Sequence, residues 1–118
     1  MRFITMVTTT NPEKVGAPPA ELMQAIVQLG MSAGAALVDT GGMKDTGTVK
    51  VSDGDIHIDG PYAEAKEAVG GYAIYELPTE QEVVDYCEKF VELHRKHWPA
   101  WEGEVTILQL QTYNMARG

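Results

Sequence analysis

Asp59 and His57 stand two residues apart at the end of an alternating stretch, Asp55-Ile56-His57-Ile58-Asp59, and Gly60-Pro61-Tyr62 follows directly. In a strand, residues two apart share a side, so the carboxylate and the imidazole have the makings of an acid–base pair. A carboxyl group partly withdrawn from water has a raised pKa and can move a proton near neutrality. The Tyr62 hydroxyl could help orient a small polar ligand. Asp59 is therefore the candidate acid/base or ligand acceptor, at the mouth of an expected pocket between sheet and helices, with His57 and Tyr62 assisting. A plainer reading stands beside it. Asp-Gly-Pro is also turn chemistry, in which Asp accepts backbone N–H bonds, Gly permits unusual φ and Pro stiffens the exit. The polar side of a strand is commonly just wet.

Other reactive residue types have simpler roles. His94 and His97 are three apart on a helix and could converge on one ion. Zinc takes three or four protein ligands, and the spacing offers no third. His94 falls on the helix's apolar stripe, where a packing histidine has one ring nitrogen held by an acidic neighbour or a backbone carbonyl. Cys87 lies on the same stripe and reads as an inert core thiol, with no base placed to activate it. Tyr62, Tyr72 and Tyr75 also read as sheet and interface aromatics. Glu64, Lys66 and Glu67 read as a solvated loop unless that segment folds over a pocket. The chain contains no Gly-x-Gly-x-x-Gly and no Gly-x-Ser-x-Gly, which removes those phosphate-cradling and serine-hydrolase readings. No cofactor is indicated.

The elements that must position these residues can be read from pattern. Arg2 to Thr10 is rich in β-branched residues and predicts a strand. After Pro18-Pro19, Leu22, Ile26 and Leu29 keep helical spacing until Gly30 and Gly34 stop the helix. Ala35 to Thr40 is a short strand ending at Gly41-Gly42. Val49 to Ser52 and Asp55 to Ile58 flank Asp53-Gly54, the dipeptide of a two-residue type I′ hairpin. That turn pairs Val51 with Ile56 and Val49 with Ile58 on one buried side, and Lys50 with His57 and Thr48 with Asp59 on the other. Gly70 to Leu77 is a buried strand, and Thr79-x-x-Glu82 opens a helix as a capping box. Pro99 ends that helix, and Glu104 to Gln111 is the last strand. The expected fold class is α+β: a βαββαβ core with an inserted hairpin, an antiparallel sheet and both helices on one face. The opposite face would be bare, and a second copy of the chain is the economical cover.

Composition sets outer limits. The 118 residues are one domain's worth of chain, 44% apolar and 22% charged, as expected of a folded globular domain rather than a disordered one. The formal charge is −8, and residues 51–118 carry the whole excess. Nucleic acid is not an expected partner, since a phosphate backbone demands a basic face. One cysteine excludes an internal disulfide and a cysteine-based zinc site. The opening MRFITMVTTT is too polar for a signal peptide, and no apolar run is long enough to cross a membrane, so the expected location is cytoplasmic.

The stretch DGPYAEAKEAVGGYAIYEL, Asp59 to Leu77, resembles the signature of the DGPF family, the YCII-related proteins, with Tyr62 in place of the usual phenylalanine. The Met-Arg-Phe opening, the Asp53-Gly54 hairpin, and His94-x-x-His97-Trp98-Pro99 running into Trp101-Glu102-Gly103 are similar too, so the likeness covers almost the whole chain. It implies a single domain over residues 1–118 with a ferredoxin-like fold that pairs through its sheets into a dimeric α/β barrel. Most members have no established activity. One branch is associated with a histidine on the first helix paired with an aspartate, and one relative is a dehydrochlorinase of a chlorinated hydroxyquinol. Here Pro19 to Gly30 contains no histidine. Two functions follow as expectations. The first is lyase- or isomerase-type chemistry on an unidentified small molecule, using Asp59. The second is a non-catalytic ligand-binding or regulatory module in which Asp-Gly-Pro is scaffold. Whether the chain is an enzyme is left open.

Overall fold

The computed structural model describes residues 1–61 and 68–113. In chain order it contains β1 (Arg2–Thr9), α1 (Ala20–Ala33), β2 (Leu37–Lys44), β3 (Thr48–Ser52), β4 (Asp55–Asp59), β5 (Ala68–Glu76), α2 (Glu80–His97) and β6 (Gly103–Leu110). Four strands form one sheet in the order β2-β5-β1-β6, antiparallel throughout, while β3 and β4 form a separate two-stranded sheet. With the hairpin set aside, two helices and an antiparallel four-stranded sheet are consistent with the expected ferredoxin-like core.

Alternation along β1 divides the sheet into two faces. Phe3 pairs with Tyr75 and Thr5 with Ala73 on the face that meets the helices. There Phe3, Tyr75 and Leu77 pack with Val83 and Cys87 of α2, and Leu22 of α1 is fully buried. Ile4 pairs with both Ile74 and Leu108 on the other face, flanked by Met6 opposite Tyr72.

Local chemistry sets where the elements start and stop. The Thr79 hydroxyl accepts from the Glu82 N–H, while the Glu82 carboxylate accepts from the Thr79 N–H at 3.2 Å, the reciprocal pair expected of a capping box. At the far end of the sheet, buried Asn11 joins two loops. Its side-chain amide donates to the Ala100 carbonyl at 2.8 Å, and its side-chain oxygen accepts from the Glu102 N–H at 2.9 Å. Removing it strands two partly buried backbone groups, so Asn11→Ala should cost about 2–4 kcal/mol, read by chemical denaturation.

Three expectations need correction. The first helix runs through Gly30 to Ala33, and Gly34, at φ 58°, is the residue that stops it. The second strand continues through Gly41-Gly42 to Lys44, because β5 runs alongside and pairs Gly41 with Tyr72 and Gly42 with Gly71. The hairpin has the expected turn, with positive φ at Asp53 and Gly54, and the expected register to the residue. Its apolar side, however, is not buried: Val49, Val51, Ile56 and Ile58 are 69–72% exposed.

Candidate active site

A cavity of about 880 Å³ opens between the helix-facing side of the sheet and the two helices. Thr5, Val7 and Ala73 contribute to its sheet wall, and Leu22 and Ile26 come from α1. Phe90 and His94 come from α2, with Trp98 and Trp101 just beyond it. Met23, Val27 and Met31, spaced four apart on α1, line its solvent edge and are themselves exposed. No described lining residue carries a formal charge. The interior therefore favours a neutral, largely apolar molecule.

His94 is the titratable imidazole in this wall, and it is only 5% exposed. Its position follows from helix periodicity: Phe90, His94 and Trp98 lie at i, i+4 and i+8 and stack along one stripe. The His94 ring is 4.6 Å from that of Phe90 and 6.4 Å from that of Trp98. Trp101 returns from the loop after the helix and stands closer, at 4.3 Å. Trp101 is fixed in turn by its indole N–H, which donates to the Thr9 hydroxyl at 2.8 Å.

The hydrogen bond on His94 sets its tautomer. Nδ1 lies 2.9 Å from the Phe90 carbonyl oxygen. A carbonyl oxygen can only accept, so Nδ1 carries the hydrogen, and in the neutral ring Nε2 holds the lone pair. Burial lowers the pKa of His94 from its ordinary value, and the Phe90 carbonyl offsets part of that shift. The ring is thus a neutral proton acceptor at physiological pH, with one nitrogen anchored.

Other groups near the cavity are quiet. Cys87 is buried, and desolvation pushes its thiol up to about 11. Native protein at pH 8 should therefore alkylate on the order of 10²-fold more slowly than unfolded chain, as a timed iodoacetamide assay with mass detection would show. Tyr75 stacks on Tyr86 at 5.3 Å, and burial raises its phenol pKa. Tyr72 pairs with Met6 across the sheet and is itself among the residues lining the cavity. Its hydroxyl donates to Asp39 at 2.9 Å, a bond that raises the phenol pKa.

The sequence-derived candidates sit elsewhere. His57 and Asp59 share the polar side of the hairpin, opposite Lys50 and Thr48, as their register requires. Both are exposed, and neither lines the cavity. Tyr62 lies outside the described residues, as do Glu64, Lys66 and Glu67. His97 is half-buried one turn beyond His94, and among the described residues no three His, Cys, Asp or Glu side chains come together to hold a metal.

Sequence reasoning placed His94 on the apolar stripe with either an acidic neighbour or a backbone carbonyl on one nitrogen, and the carbonyl is the partner found, but it did not place His94 in a cavity wall. The available signal was the aromatic company of His94: Phe90, Trp98 and Trp101, all within seven positions of it. Gly60 of Asp59-Gly60-Pro61 has φ 121°, and a Cβ there would stand 2.7 Å from both the Thr46 carbonyl oxygen and the Gly47 Cα. Gly60 is therefore closely packed against backbone at the base of the hairpin.

No family model matches the chain, and no curated protein does. Among solved structures, it is similar to 5-chloro-2-hydroxyhydroquinone dehydrochlorinase from Burkholderia phenoliruptrix AC1100 in complex with 2,5-dihydroxybenzoquinone. The identity is 15% over 94% of each chain, with a TM-score of 0.48. No described helix is long and apolar enough to cross a membrane.

Proposed function

We propose that the cavity is the working site and that His94 is its proton acceptor, serving lyase- or isomerase-type chemistry on a small, neutral, planar molecule. The observation that carries this is the Nδ1 hydrogen bond of a buried histidine to the Phe90 carbonyl in an aromatic-walled cavity. A ligand O–H or acidic C–H gives its proton to Nε2, and the electron pair stays on the ligand, where it can expel a leaving group or shift a double bond. The imidazolium that forms is held by the Phe90 carbonyl and by the ring faces of Phe90 and Trp101. An uncharged wall strengthens the attraction between that cation and the new ligand anion.

Asp59, with His57 and Tyr62, is the rival acid–base set. The close packing at Gly60 favours the scaffold role for Asp-Gly-Pro instead. A thermal-shift screen separates the readings, using substituted phenols of graded acidity as probes. A probe at a hundred times its Kd stabilises by about 2.7 kcal/mol. Under the His94 reading, His94→Gln loses this stabilisation and Asp59→Asn keeps it. The reverse pattern returns the chemistry to the hairpin, and no response to any phenol contradicts the cavity reading.

A homodimer through the outer sheet face belongs to the same proposal. Ile4, Met6 and Ile74 are half-buried there, and Leu108 and Leu110 are exposed beside them. An apolar sheet face of this kind calls for cover. Leu108→Asp should turn a dimer into a monomer in light scattering coupled to size-exclusion chromatography.

A further inference from the structure

We infer that the β3–β4 hairpin is a docking arm whose apolar side packs on a second copy of this chain. The inference rests on the homodimer proposed above and adds a surface to it. The arm pairs strand to strand internally but forms its own sheet, separate from the main one. An isolated two-stranded hairpin is marginal in water, yet this one places Val49, Val51, Ile56 and Ile58 on one side, each about 70% exposed. Its other side carries Thr48, Lys50, His57 and Asp59, which suits water. The arm is therefore amphipathic, with nothing among the described residues covering its apolar side.

The shape of the chain agrees. The radius of gyration is 17.1 Å and the extents are 48 × 41 × 22 Å, whereas a compact chain of this length has a radius of about 13–14 Å. At the base, Gly47 and Gly60 approach backbone to backbone, and a Cβ on Gly47 would stand 2.6 Å from the Asp59 carbonyl oxygen. Both glycines have positive φ, 154° and 121°, which aims the arm by backbone contact rather than by side-chain packing.

The area selects the occupant. Four side chains at this exposure supply roughly half of the ~800 Å² per partner that a stable interface buries. The outer sheet face of the same chain, with Ile4, Ile74, Leu108 and Leu110, can supply the remainder. A two-fold pair uses each surface twice and needs no other partner chemistry.

The test uses the full chain. Light scattering should show a dimer for the wild type, and Val51→Asp and Ile56→Asp, on the apolar side, should each weaken it by 10²-fold or more. Lys50→Ala, on the polar side, should leave it unchanged. Independently of those variants, a nitroxide on S52C in unlabelled chains, mixed with ¹⁵N-labelled wild type, should broaden amide signals in the labelled copy. A dimer that tolerates both aspartates and shows no broadening between copies overturns the arm and leaves the sheet-face dimer standing. A wild type that stays monomeric at several hundred micromolar overturns both.

Discussion

Under the proposed role of His94, a His94→Gln variant is expected to fold and to lose proton-transfer turnover in the cavity by about 10²–10⁴-fold, the usual contribution of one positioned general base. Glutamine keeps a polar side chain of similar reach but has no lone pair basic enough to take a proton at neutral pH. The same substitution has a readout that needs no substrate. Burial lowers the pKa of His94 in the folded state, whereas the ring titrates near 6.5 when unfolded. Above that pH neither state binds the proton, and the folded ring contributes its full share of stability. As pH falls below about 6.5 the unfolded chain takes up a proton that the folded ring resists, so stability drops until the folded pKa is passed. Denaturant melts across pH 5 to 8 should show this loss in the wild type and lack it in His94→Gln. A variant that keeps both the turnover and the acid sensitivity would remove His94 from the chemistry.

Phe3→Ala is expected to cost about 3–5 kcal/mol, the range for deleting a buried aromatic ring. Phe3 is 1% exposed, and its neighbours Tyr75, Leu77, Val83 and Cys87 come from β5, the turn after it and α2. The cavity left behind would lie between sheet and helix, where β1 is hydrogen-bonded on both sides and cannot move in to fill it. A domain of this size holds about 5–15 kcal/mol in total, so a large part of its stability should disappear. The urea midpoint should fall sharply with the m-value unchanged. A loss under 1 kcal/mol would contradict the packing described for this face.

What could be read from the sequence was what neighbouring residues decide among themselves. Asp53-Gly54 dictates its own turn and, through it, the pairing of Val51 with Ile56 and of Lys50 with His57. Thr79 and Glu82 dictate the start of α2 between them. Failures began where a distant element intervened. Gly30 reads as a stop, yet a helix tolerates one glycine for about 1 kcal/mol. Its missing side chain also makes room for Leu37, whose Cδ2 would stand 3.3 Å from an added Cβ. Alternation in the hairpin revealed which side was apolar but not whether this chain would cover it.

The site follows the same division. The carbonyl on His94 lies four residues back in its own helix, so it was one of the two partners legible locally, the other being an acidic neighbour. That His94 lines the cleft between sheet and helices was not legible, because the other walls come from β1, β5 and α1. The Asp59 motif was equally visible, but whether it faced a pocket or solvent depended on where the hairpin pointed, and at the hairpin's base Gly47 and Gly60 meet backbone to backbone.

The most direct measurement is a long-range ¹H–¹⁵N correlation titration of the His94 ring from pH 8 to pH 4.5. The structure requires a neutral ring protonated on Nδ1, with a bare Nε2 and a titration midpoint below 6.5. A ring protonated on Nε2, or one that titrates at or above 6.5, would contradict the assignment of His94 as the anchored base of this cavity.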